Sequence, residues 1–274
     1  MRNMKNKSIL IGGLIIIVLT FTTVFAPFVT PHDPAEQNLE DRLSSPNNEY
    51  PLGTDHFGRC IFSRLVYGTR TSLAIAIAVS AIVVSIGTIL GAIAGYYRMI
   101  DNIVMRFADI ALAFPSIVLA LAIVGMLGPS TPNIIIALSA AGWGKYARLV
   151  RGTVLSIKEK EFIESARALG CNDAYILFRH ILPNCVAPIV VVASLGIGGK
   201  IISIAGLGFL GLGVQPPTPE WGTMIKARLP LLQVAPHIVI FSGLMIMITV
   251  LAFNLLGDGL RDALDPRLKD MMMK

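Results

Sequence analysis

A chain of 274 residues that is 54% apolar before glycine is counted, only 15% charged and of mean hydropathy +0.70 is not an ordinary soluble domain. Its net charge of +6 does not mark a nucleic-acid reader, because the basic residues are spread between apolar runs rather than gathered on one soluble face. The three cysteines, Cys60, Cys171 and Cys185, show no CxxC spacing and no HxxxH accompanies them, so neither a disulfide framework nor a metal site is implied.

Runs of about 20 apolar residues suffice to cross a hydrocarbon core. Such runs are read at residues 9–28, 73–96, 107–127, 132–150, 185–205 and 237–257, which predicts an all-α membrane protein with six transmembrane helices. The first follows Arg2, Lys5 and Lys7, is longer than the apolar region of a signal peptide and lacks an A-x-A site, so it is expected to remain as an anchor. With the amino terminus inside, residues 97–106, 145–184 and the tail from 258 face the cytoplasm. Only seven of the 23 Lys and Arg then fall outside (Arg42, Arg59, Arg64, Arg70, Lys200, Lys226 and Arg228), in line with the positive-inside rule. Cys60 is placed outside and is expected to react with an impermeant thiol reagent, whereas Cys171 should react only after permeabilisation.

After the first span, "APFVTPHDP" and "SSPNNEYPLGTD" break any regular element, so residues 27–55 read as an exposed outer segment. The metal-like pairs His32-Asp33 and Asp55-His56 within it are read as turn and capping residues. Phe57, Ile61, Phe62, Leu65 and Val66, with Arg59 and Arg64 between them, have helical spacing and two faces, which predicts a helix lying flat at the outer interface. The second span carries Gly87, Gly91 and Gly95, two overlapping GxxxG steps that predict close packing against another helix. In the third, Asp109 lies one turn from Arg106 and is read as its ion-pair partner, and Pro115-Ser116 predicts a kink. The spans are otherwise nearly free of charge, which argues against an ion-coupled carrier, since such carriers need intramembrane acids.

The inner segment 152–184 reads "GTVLSIKEKEFIESARALGCNDAYILFRHILPN". Glu161 and Glu164 suit the positive end of a helix, Ser165, Ala166 and Ala168 keep it thin, and Gly170 can supply a left-handed stop. Asn172 or Asp173 then caps a second helix running toward Pro183. Nearer the carboxyl terminus, "SLGIGGKII" lacks both the leading glycine and the Ser/Thr of a phosphate loop, so this chain is expected to bind no ATP, and no nucleophile elbow or metalloprotease helix occurs. In "AGLGFLGLGVQPPTPEWG", Gly206, Gly208, Gly211 and Gly213 with three prolines predict an irregular loop and a candidate outer gate.

Glu164-Ser165-Ala166, three residues, Gly170, then Leu182-Pro183 resembles the EAA loop of the membrane subunits of bacterial and archaeal ABC importers, with Ser165 in place of the first alanine and His180 where many members have isoleucine. "PLGTDHFGRCIFSRLVYGTRTSL", "EFIESARALG", "FRHILPN", "FLGLGVQPPTPEWG" and "FNLLGDGLRDALDPR" extend the likeness, in order, over nearly the whole chain, to the C-type permease of the dipeptide, oligopeptide and nickel importers. The resemblance implies a type I ABC importer transmembrane domain over 69–260 with its coupling loop near 152–184, preceded by an anchor, outer segment and interfacial helix (1–68) and followed by a cytoplasmic tail (261–274).

It also implies a cell-membrane location with both termini cytoplasmic, a second related permease, two cytoplasmic ATPases that hold ATP and Mg, and an external substrate-binding protein. Membrane lipid is a partner and nucleic acid is not. Glu161 and Glu164 would orient the coupling helix, Ser165 and Ala166 would enter an ATPase groove, and Gly170 would set the turn, with no catalytic residue, metal or cofactor in this chain. Small peptides are the expected substrate. Nickel or a metal chelate is the alternative within the family, and an ion-coupled carrier using Asp109 the alternative outside it.

Overall fold

The structure, a computed structural model, describes residues 2–233 and 235–264. Of the inner basic tail, Arg267, Lys269 and Lys274 therefore lie outside the described residues. In chain order the helices are α1 (Arg2–Val24), α2 (Ala26–Val29), α3 (Ile61–Tyr96), α4 (Arg98–Ala113), α5 (Ser116–Leu127), α6 (Thr131–Lys158), α7 (Glu161–Ala168), α8 (Asp173–Tyr175), α9 (Leu182–Leu210), α10 (Trp221–Arg228) and α11 (Pro236–Leu264). A π-helical turn, Ile176–Ile181, joins α8 to α9.

Four helical stretches are long and apolar enough to cross a membrane: Lys7–Val24, Ile61–Tyr96, Asp173–Leu210 and Pro236–Leu264. The expected span at 107–127 is two helices, α4 and α5, bent by 89°. The break falls at Phe114-Pro115, since proline biases the residue before it toward extended backbone. What sequence suggested as a kink is thus a sharp corner. The expected span at 132–150 lies within α6, whose 28 residues are long enough but carry Lys145, Arg148 and Arg151, so it falls short in apolarity.

These charges have local partners. Arg151 Nη2 donates to Asp101 Oδ2 at 2.6 Å, and Arg148 pairs with Asp109, so two ion pairs join α6 to α4. Asp109 is therefore not the partner of Arg106, and its carboxylate is 58% exposed, unlike a buried relay. Lys200, placed outside by sequence, sits within α9, its Nζ 3.3 Å from the Tyr146 hydroxyl and 5.3 Å from the centre of that ring.

Three further expectations are corrected. The flat helix at 57–66 does not exist as a separate element: α3 starts at Ile61 and runs unbroken to Tyr96, and Arg59 and Arg64 are buried rather than facing water. Pro183 does not end a helix either. Its missing N–H falls in the first turn of α9, and the preceding turns widen to the π form, so helix continues from Asp173 to Leu210. Cys60 is 1% exposed, so its expected reactivity toward an external thiol reagent is withdrawn.

Packing is set by small residues. A Cβ on Gly87 would come 2.4 Å from Tyr146 Cβ, one on Gly91 2.4 Å from the Ala147 carbonyl oxygen, and one on Gly95 2.8 Å from Val154 Cβ. The three glycines thus face α6 of the same chain. On the outside, α1 exposes Leu10, Leu14 and Ile17, and α11 exposes Ile240, Met247 and Leu251, the apolar faces that lipid contact requires.

Gly91→Val is expected to force α3 and α6 apart at a cost of about 1–3 kcal/mol from overpacking. Gly243→Ala in α11, with nothing within 4 Å of the added methyl, should leave stability unchanged or raise it slightly. Membrane abundance and the thermal midpoint of the purified protein would register the contrast, and equal behaviour of the two variants would contradict this packing.

Candidate functional site

One end of the bundle is organised around α7. Glu161 and Glu164 occupy its first turn, where acids oppose the positive end of the helix dipole. Its amino end has no side-chain cap, since Lys160 precedes it. At the other end, Cys171 N–H donates to the Ala166 carbonyl at 3.1 Å and Gly170 N–H to the Arg167 carbonyl at 2.9 Å, the two bonds of a Schellman stop. This stop needs a left-handed residue, and Gly170 has φ +80 with open space where a Cβ would be, so conformation alone requires glycine. Asn172 Oδ1 then accepts from Tyr175 N–H at 2.8 Å, and of the two proposed caps it is the asparagine that opens α8.

Both flanks of α7 are tied to one residue. Lys158, in the last turn of α6, donates through Nζ to the Tyr96 carbonyl at 2.7 Å and lies 4.9 Å from the centre of its ring. The Tyr96 hydroxyl donates to Asp173 Oδ1 at 2.5 Å. Tyr96 is the last residue of α3, so α7 is held at its entry and exit by the end of the second span. Sequence reading missed this clamp because Tyr96 stands 62 and 77 positions from its partners. The lone pattern pointing to it is a tyrosine pair, Tyr96-Tyr97, at the end of an apolar run.

The inward face of α7 is Ile163 and Ala166, which join Val150, Val154, Ile176, Leu177 and Ile181 in a buried cluster. Ala166 is 7% exposed, so it does not present itself to a partner's groove as expected; it lets α7 lie close to its own chain. The outward face is Glu161, Phe162, Glu164, Ser165 and Leu169, and the Phe162 ring lies 6.3 Å from that of His180. Phe162 and Leu169, seven positions apart on one helix face, are 43% and 84% exposed, an apolar patch flanked in sequence by acids and Arg167.

At the opposite end, the candidate gate glycines divide. Gly206 and Gly208 lie inside α9, and the irregular chain begins only at Gly211, whose φ of +89 closes the helix with a second Schellman stop. A Cβ on Gly208 would meet Glu220 Oε2 at 2.3 Å, and one on Gly213 would meet Gly208 Cα at 2.3 Å, so the segment folds tightly onto itself instead of forming an open loop. Glu220, fully buried, caps α10 by accepting from Gly222 N–H at 2.8 Å and Thr223 N–H at 2.9 Å. Burial pushes its carboxyl above the ordinary range against the pull of those donors.

A helical bundle with a clamped helix–turn–helix at one end and a folded cap at the other has known counterparts. The family model for the binding-protein-dependent transport system inner membrane component matches residues 87–270. The chain belongs to this family of ABC importer permeases. Its first part, residues 2–46, matches the N-terminal TM domain of oligopeptide transport permease C. The permease is 50% identical to the dipeptide transport system permease protein of Alkalihalophilus pseudofirmus, over 97% of this chain and 88% of that one. It is 48% identical to the glutathione transport system permease protein of Pectobacterium atrosepticum, over 94% and 86% of the two chains. Among solved structures, an amino acid ABC transporter superposes with a TM-score of 0.59 at 16% identity, covering 74% of the permease and 94% of that chain, which establishes the type I importer fold. The permease is the membrane subunit, and ATPase activity in this family lies in separate subunits.

Gly170→Val should destabilise the α7 stop by about 1–2 kcal/mol, the cost of a left-handed conformation for a side chain, whereas Gly170→Asn should largely keep it. Tyr96→Phe should weaken the clamp by on the order of 1 kcal/mol, because Asp173 is exposed and water competes for it. Limited proteolysis across 158–175 should be faster in the valine and phenylalanine variants and near wild type in the asparagine variant. Identical cleavage of all four proteins would refute the clamp.

Proposed function

We propose that this chain is one of two related permeases of an ATP-driven importer of small peptides in the bacterial inner membrane. The clamped α7 carries this reading. It displays two acids and an apolar patch on a rigid mount, which suits force transmission by a partner and serves no purpose in a free inner loop. Glu161, Glu164 and Ser165 are assigned to the contact with a cytoplasmic ATPase, together with Phe162 and Leu169, which sequence did not single out. Gly170 sets the turn, and Ala166 acts from behind by seating the helix. ATP and Mg belong to the two ATPase partners, and an external binding protein delivers the peptide. Gly211 and Gly213, at the closed end of α9, are the proposed outer gate, while Gly206 and Gly208 serve packing.

The proposed topology keeps six crossings, with both termini cytoplasmic. The α4–α5 corner makes the third, and α6, about 42 Å long at 1.5 Å per residue, makes the fourth. It tolerates Arg148 and Arg151 because Asp109 and Asp101 pair with them. The division into anchor and outer segment (1–68), transporter core (69–260) and tail (261–274) is kept, except that the first boundary cuts the continuous α3. Peptide is preferred over nickel because the relatives named above are dipeptide and glutathione permeases. The ion-coupled carrier loses its support with Asp109, which is exposed and paired.

Reconstitution tests the reading. The complete assembly in vesicles should take up a labelled dipeptide only with ATP, and this chain alone should neither hydrolyse ATP nor transport. Glu164→Lys should leave assembly of the two permeases intact and lower ATP-dependent uptake several-fold. Gradient-driven uptake by the single chain would replace the importer reading with a carrier. A cysteine at position 165, Ser165→Cys in a background without native cysteines, should be labelled by an impermeant reagent only after permeabilisation; labelling of sealed cells would reverse the orientation.

A further inference from the structure

Opposite the α7 end, a cavity of about 120 Å³ lies between the chain entering α3 and the α10 segment. A single water needs roughly 10–15 Å³ of such space. Asp55, Arg59, Arg64 and Arg228 line it, and they are only 1%, 6%, 6% and 2% exposed. Asp55 Oδ2 receives all three guanidinium groups: Arg59 Nη2 at 2.8 Å, Arg228 Nη2 at 2.6 Å and Arg64 Nε at 3.8 Å. Its Oδ1 is already used by Phe57 N–H at 2.8 Å and Arg59 N–H at 3.1 Å. The carboxylate is saturated, and Asp55 is the one acid among the described lining residues.

Arginine does not give up its proton. Three guanidinium groups against one carboxylate therefore leave two positive charges uncompensated in a buried setting, where unpaired charge is strongly disfavoured. Arg64 is partly satisfied by the Pro34 carbonyl at 2.8 Å. Arg228, which lines the cavity, is paired with Asp55 through Nη2, but its Nη1 is buried and has no hydrogen-bond partner among the described residues. His56 Nδ1, on the same wall, is likewise without one. Burial pushes the Arg228 guanidinium below its ordinary value against the opposing pull of Asp55.

From the excess charge, the unpartnered Arg228 donor and the space beside them, we infer that this cavity is a binding site for a small monovalent oxyanion of the carboxylate class. Such a group accepts from Arg228 Nη1, offsets one of the two excess charges, and ties the segment before α3 to α10. The inference stands on the cavity alone; only the peptide arm of its test rests on the import reading.

The test uses the complete importer purified with its partner subunits, at fixed pH and ionic strength. Sodium acetate and sodium formate should raise the thermal midpoint saturably by a few degrees, and the sodium salt of a bulky sulfonate buffer should not. Arg228→Met should abolish the shift, as should Ala227→Phe, which narrows the cavity while keeping every charge. If the methionine variant fails to assemble, the phenylalanine variant decides alone. Equal shifts with acetate and the sulfonate, or a shift that survives in the phenylalanine variant, would overturn the site and leave the cluster a self-contained ion network. A dipeptide compared with its carboxyl-terminal amide separates the sources. If the acid alone reproduces the acetate effect at lower concentration, the occupant is an arriving peptide's carboxylate; if only acetate acts, it is a free anion.

Discussion

Backbone contact between α3 and α6 is the constraint on which the functional end rests. With Gly87, Gly91 and Gly95 on one ridge, α3 approaches until the Ala147 carbonyl sits where a side chain would be. The α3 side of this ridge carries no side chain, so little soft material lies between the two helices. Their ends are consequently in register: the last residue of α3, Tyr96, comes level with Lys158 at the end of α6. Only because that alignment is fixed can one tyrosine hold both flanks of α7.

The same principle recurs with different residues elsewhere. Gly208 brings α9 onto the cap of α10, Gly222 brings α10 onto the Ala205 carbonyl, and Gly257 lets α11 meet Leu195 of α9. Within a bilayer, burying apolar groups provides little drive for helices to associate, because lipid is as apolar as the helix surface. Close van der Waals contact along glycine seams takes its place. This explains why large side chains such as Ile17, Ile240 and Met247 point outward while Ser72, Ser242 and Thr249 are buried.

How much of this could be read in the sequence depended on range. The extent of α7, its Gly170 stop and a cap for α8 at Asn172 or Asp173 were legible because each is fixed by residues a few positions apart. The GxxxG ridge announced a close contact, though not its partner. Misreadings arose where a distant group changed the meaning of a charge. Arg59 and Arg64 resembled the polar face of an interfacial helix until Asp55 and the Pro34 carbonyl supplied their partners. Asp109 has a basic residue one turn away, yet Arg148 on another helix reaches it. Lys200 looked like the edge of a span, but the chain stays helical for another ten residues to Leu210, and Tyr146 of α6 provides the hydroxyl and ring that accommodate the ammonium. Ala166 was recognisable as small but not as inward-facing, because that depends on where Ile176 and Ile181 return.

The unbroken helix from Asp173 to Leu210 has a mechanical consequence. At 1.5 Å per residue its 38 residues form a rod of about 57 Å. Its near end is attached to α7 and its far end to the folded cap around Glu220. Its two weak joints, the π turn at Ile176–Ile181 and the internal Pro188, both lie in the first half, beside the clamp. The remainder beyond Pro188 is a straight arm about 33 Å long, with its joints at the α7 end. A swing of about 5° at those joints displaces the tip by roughly 3 Å, about twice the rise per residue of the helix. A small angular change at one end would thereby become a displacement of several ångströms at the other without any helix having to unwind.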